Sequence, residues 1–360
     1  MRRSRAWFSV LAAAVVLLLV AGLSGCGTVG YLAQSVQGHL SLMHAARPVP
    51  EWLADPAAPQ PLKDRLALTQ RMRDYSISEL HLPDNNSYRR YADLKRPAAV
   101  WNVVAAPELS LELKTSCFPV VGCIGYRGYF DRKAADEEAA RLKAEGYEVY
   151  VYGVPAYSTL GWSNWIGGDP LLNTFIQYPE GELARMIFHE LAHQVAYAKG
   201  DTMFNESFAT SVEVIGGQRW LATHASEQAR EEYARYDGRR RDFRALTKRY
   251  RDAFDALFKS DAPEADKRAR KAELMRQMRA DYEAMKANAW GGYKGYDLWF
   301  QQANNASLGV LSAYNELVPQ FERLFEREGN DFERFYAEVK RLAALPKKER
   351  EATLNNETGR

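Results

Sequence analysis

The chain has 360 residues, 46% of them hydrophobic and 26% charged, with 24 Gly and 15 Pro, which excludes a collagen-like, low-complexity or mainly disordered protein. Its formal charge of +2 includes Arg2, Arg3 and Arg5 of an N-terminal leader. Without them 45 basic residues face 46 acidic ones, and a balance of −1 gives no electrostatic reason to expect a nucleic-acid partner. Three cysteines are too few for a disulfide-rich scaffold or a four-thiolate zinc site.

Residues 1–25 combine a basic start, an apolar run and small residues, the layout of a secretory signal. Leu23-Ser24-Gly25 before Cys26 resembles a bacterial lipobox, in which the cysteine is lipidated and becomes the mature N-terminus. An uncleaved anchor is the alternative, since the apolar run nearly spans a bilayer. Either way the folded part is expected in the cell envelope, tethered to a membrane and facing the periplasm. Gly27 supplies no Asp-type retention signal, so the outer membrane is the expected destination. In that oxidising compartment Cys117 and Cys123, six residues apart, are expected to close a disulfide.

Residues 26–95 form a tether and helical segment, with Leu62, Leu66, Leu68, Met72 and Ile77 at approximate helical spacing. The stretch 96–225 begins as strands: AAVWNVVAA, CIGYRGYF and YEVYVYGV are rich in Val, Tyr, Phe and Trp. Between the last two, DRKAADEEAARLKAEG reads as a helix closed by Gly146. A second helix is predicted through HELAH to Gly200, and a further helix or helix pair after it. Residues 226–350 are a charged helical region, in which SDAPEAD divides a long helical hairpin, and 351–360 are expected to be a disordered tail. The fold class is α+β, a small mixed or antiparallel sheet beside a dominant helical, zincin-like portion.

His189-Glu190-Leu191-Ala192-His193 carries the chemistry. Residues four apart share a helix face, so both imidazoles can reach one ion, and Glu190 lies where a carboxylate can take a proton from the attacking water. A catalytic zinc usually takes three protein ligands and leaves a place for water. Glu206, 13 residues after His193, begins the next helix and is the expected third ligand; Glu213 and Asp201 are its rivals. One ion cannot bind both Glu206 and Glu213, which stand roughly 10 Å apart along a helix.

HELAH followed by NESFA resembles the gluzincin metallopeptidases, whose second helix carries N-E-x-x-A. The resemblance implies zinc ligands His189, His193 and Glu206, with Glu190 as general base. More closely, YADLKRPAAVWNVVAAPELSLE, CFPVVGCIGYRGYFD, VPAYSTLGW and IFHELAHQ resemble a family of bacterial lipoproteins described as putative aminopeptidases. A membrane-anchored zinc aminopeptidase acting on peptides is therefore expected. The competing expectations are a non-catalytic, metal-stabilised scaffold lipoprotein and a hydrolase of peptidoglycan peptides.

Where gluzincins often carry an Asp four residues after the third ligand, orienting a zinc histidine, this chain has Thr210, whose hydroxyl can still accept a hydrogen bond; Glu213, if not the ligand, is expected behind the ligand set or at the surface. The Gly-x-Met-Glu-Asn amine-binding motif of one large aminopeptidase family is absent. Tyr293 and Tyr296 are candidate oxyanion donors. VPAYSTLGWSNW is a candidate edge strand for pairing with a substrate backbone.

Overall fold

The computed structural model describes residues 26–118, 122–156, 167–311 and 317–357; the leader at 1–25 and most of the candidate edge strand lie outside them. The architecture is α+β, with helices dominating. It begins with α1 (Cys26–Ala45), β1 (Arg47–Pro48), α2 (Val49–Ala54), α3 (Gln60–Ser78) and β2 (Arg90–Ala92). The sheet region follows: β3 (Val100–Ala106), β4 (Ser116–Phe118), β5 (Gly122–Ile124), β6 (Arg127–Tyr129), α4 (Arg132–Ala144), β7 (Glu148–Val154) and β8 (Leu171–Leu172).

Antiparallel pairing gives the order β6-β3-β7. Alternation along β3 serves both faces of that sheet. Trp101, Val103 and Ala105 pack with Ala135, Ala139 and Leu142 of α4, while Val104 and Ala106 meet Ala306 and Val310 from far along the chain. A second sheet pairs β1 antiparallel and β8 parallel with β2. In the β4–β5 hairpin, Cys117 and Cys123 face each other and are joined by a disulfide.

The helical part contains α5 (Glu180–Ala192), α6 (Thr202–Thr223), α7 (Glu227–Lys259), α8 (Glu264–Asn288), α9 (Asp297–Gln302), α10 (Asn305–Val310), α11 (Val318–Arg327), α12 (Phe332–Ala343) and α13 (Lys347–Glu357). The segment read as one helix or a pair is the single helix α6, and α7 and α8 form the charged hairpin. The largest core joins residues of α3, α5, α6, α11 and α12, so the first and last thirds of the chain close around the centre. The hairpin has its own core, with Phe254, Met278 and Tyr282 at its heart. Among the described residues no helix is long and apolar enough to cross a membrane.

Two differences from the sequence expectation have tertiary causes. The helix predicted to reach Gly200 stops at Ala192. Beyond it Gln194 is drawn to Ser87 Oγ (3.1 Å) and accepts from Asn85 (2.8 Å). The Asn205 side chain takes both the N–H and the C=O of Ala198 (2.7 and 2.9 Å). These bonds satisfy the backbone outside the helical ladder, and Gly200, at φ +75°, turns the chain into α6.

The expected disordered tail is also corrected: from 351 to 357 it is the end of α13, with Leu354 fully buried. Arg350 of that helix pairs with Asp201, the N-cap of α6, and both are nearly inaccessible (4% and 3% exposed). Removing one partner of a buried ion pair strands the other charge. Arg350→Ala is therefore expected to cost about 3 kcal/mol of unfolding free energy, read by urea denaturation. A loss below about 1 kcal/mol would mean that Lys347, 4.0 Å from Asp201, suffices as counter-charge.

Candidate metal centre

The site is built between α5 and α6. Leu183, Ile187, Phe188 and Leu191 bury one face of α5 in the main core, together with Phe208, Ala209 and Val212 of α6. Acidic Glu180 and Glu182 occupy the first turn of α5, where the helix dipole favours negative charge. Gly216 and Gly217 allow close approach: a Cβ at Gly216 would come 2.6 Å from Leu80 and one at Gly217 would come 2.6 Å from Arg185. The helices run antiparallel, for His193 faces Glu206 while Arg185, two turns earlier, faces Glu213.

Three donor atoms converge. His189 Nε2 and His193 Nε2 are 3.2 Å apart, and Glu206 Oε2 lies 3.4 Å from the first and 3.7 Å from the second. An ion with tetrahedral bonds of about 2.0–2.2 Å requires ligand atoms about 3.3–3.6 Å apart, so the triangle has the size such an ion needs. These three residues form a group that can hold a metal ion. Two imidazoles and a carboxylate suit a borderline divalent cation.

The charges favour a cation as well. Burial opposes a charge on His189, but Glu206 and Glu213 outweigh it and raise its pKa well above the ordinary imidazole value. His193, fully buried and beside His189, is lowered to about 4 despite Glu206, so its ring is neutral and has a lone pair to give. Burial pushes Glu206 up, yet the two histidines win and hold it ionised.

Glu190 is half-buried between the two histidines in sequence, and its charge acts on His189 and on the enclosed Tyr88 hydroxyl. Glu213 Oε2 approaches His189 Nδ1 at 2.9 Å, and its other oxygen accepts from Arg185. Thr210 is buried, and among the described residues no hydrogen bond joins it to either histidine. Asp201, the weaker rival for third ligand, is committed to capping α6 and to Arg350.

Tyr293 and Tyr296 pack against the core of the α7–α8 hairpin. Tyr296 stacks on Phe243 in the hairpin core (4.3 Å between centroids), and Arg239 lies over Tyr293 (4.2 Å). No contact among the described residues brings either ring to the ligand triangle. Sequence reading missed Tyr126, between β5 and β6. Burial raises its hydroxyl pKa and the Glu206 charge raises it further, which puts that phenol in the field of the ligand set. Tyr197, after α5, feels the same carboxylate. With 20 tyrosines in the chain and Tyr126 inside a strand-like stretch, nothing in the sequence distinguished it.

A family model described as "Putative aminopeptidase" matches residues 30–354. Comparison with curated proteins and with solved structures gives no significant match.

Proposed function

Because the chain belongs to the putative aminopeptidase family, we propose that it is a zinc-dependent aminopeptidase, lipid-anchored through Cys26 to the outer membrane and facing the periplasm. The observation that carries the metal chemistry is the triangle of His189, His193 and Glu206 donors at tetrahedral separations. His189 and His193 would hold the ion through Nε2 and Glu206 through one carboxylate oxygen. Bound there, zinc supplies Lewis acidity towards the scissile carbonyl and the attacking water. Glu190 takes a proton from that water and delivers it to the leaving amine, so one carboxylate serves as base and then acid. Peptides with a free amino end are the proposed substrates, on the strength of the family description.

The test pairs metal analysis with hydrolysis of one peptide in free-amine and N-acetylated forms. Natively purified protein is expected to contain close to one equivalent of zinc, to cleave the free-amine peptide preferentially and to lose that activity on chelation. Metal without hydrolysis of either form would favour the non-catalytic scaffold. Preference for muropeptides would move the substrate to the cell wall.

A further inference from the structure

Resting on the metal reading above, we propose that Glu213 is the positioning residue for His189, and that Arg185 secures it in that role. The Nε2 atom of His189 faces His193 and Glu206, whereas Nδ1 faces Glu213 Oε2 at 2.9 Å, obliquely to the bonding axis of the ring nitrogen. A carboxylate beside Nδ1 favours the ring proton on that nitrogen and leaves the Nε2 lone pair to an ion.

The second Glu213 oxygen accepts from Arg185 Nη2. Arg185 precedes His189 by four residues, so one face of α5 carries both the ligand and the cation that holds its orienting carboxylate. Arg185 also donates to the Tyr233 hydroxyl (2.6 Å) and lies 3.5 Å from Asp237, both on α7. Arg240 of the same helix grips Glu182 of α5 with two bonds (2.9 and 2.8 Å). The guanidinium of α5 is therefore held by partners on two helices, α6 and α7, and the absence of a side chain at Gly217 gives the arginine room.

This arrangement accounts for Thr210. The position four residues after Glu206 has no carboxylate, and the carboxylate three residues further along α6 reaches the histidine in its place. A buried ion pair is a weak device for stability alone, because desolvation offsets most of the attraction. Arg185 and Glu213 have side chains only 4% and 15% exposed. Removing Glu213 would strand Arg185 and cost stability as at Arg350, so metal affinity in the folded variant is the readout that separates a metal role from a structural one.

The experiment compares wild type, Glu213→Gln and Glu213→Asp by Zn²⁺ competition against a chelator and by the visible spectrum of the Co²⁺-loaded protein. Both variants are expected to bind Zn²⁺ roughly 10–100-fold more weakly and to show an altered Co²⁺ spectrum, with unchanged far-UV circular dichroism. Glu213→Asp keeps a charge for Arg185 but withdraws it from the ring, so it carries the test if Glu213→Gln does not fold. Wild-type Zn²⁺ affinity and an unchanged Co²⁺ spectrum in a folded variant overturn the proposal. A wild type that takes up neither metal overturns the metal reading itself.

Discussion

Glu190→Gln is expected to lower kcat by about 10²–10⁴-fold while the bound metal stays at its wild-type level. The substitution exchanges one oxygen for an amide nitrogen, keeps the shape of the side chain and leaves His189, His193 and Glu206 untouched. An amide cannot take a proton from water at neutral pH, so the loss falls on the step in which that proton moves. KM should change little, because an interaction made only in the transition state lowers kcat and kcat/KM together. Glu190 also contributes negative potential to His189 and Tyr88, so a small change in metal affinity is expected beside the large change in rate. Equal rates in the two proteins at equal metal content would remove Glu190 from the mechanism and leave the family membership standing.

What was legible in the sequence follows the range of the forces involved. The two histidines could be read together because a four-residue spacing on a helix is local geometry, and the structure turns both Nε2 atoms to one point. Glu206 was legible for nearly the same reason, since only a turn and the start of α6 separate it from His193. The strands around Trp101, Tyr129 and Tyr150 were visible in their composition. By contrast, β1, β2 and β8 are two or three residues long and are set by pairing across the chain, which leaves no periodicity to detect.

The misplaced helix end has the same explanation. Apolar spacing continues to Val195, but Ser87, Asn85 and Asn205 capture the chain after His193. The last residues are tied down by partners far away in sequence, such as the ion pair of Arg350 with Asp201, 149 positions apart. In the site, Thr210 stands where the gluzincins that the sequence resembles often place an Asp. Only the pairing of Glu213 with both Arg185 and His189 shows which carboxylate reaches the ring. Tyr126 and Tyr293 were equivalent as letters, and tertiary placement separates them.

Glu206→Ala should empty the centre. The variant leaves two imidazoles 3.2 Å apart, without the third donor or its negative charge. The fall in Zn²⁺ affinity should exceed the roughly 10–100-fold typical of losing an outer partner, since a direct ligand is removed. Glu213 cannot take over, because one oxygen is held by Arg185 and the other stands at the Nδ1 side of His189. Thermal melting gives a readout independent of turnover. A ligand that binds only the folded state stabilises it by about 2.7 kcal/mol at a free concentration of 100 Kd. That corresponds to roughly 5 °C in Tm for a chain of a few hundred residues. Wild type should show such a rise when Zn²⁺ is added to chelator-stripped protein, and Glu206→Ala should show almost none at the same concentration. Because Glu206 is largely buried and held ionised beside the histidines, its loss also removes a negative charge from the face where the ion would sit. The metal-stripped variant should nevertheless fold, since Asn205 and Asp201 still fix the start of α6. A full wild-type rise in the variant would mean that the ion, if bound, is held without Glu206, and the ligand triangle would have to be abandoned.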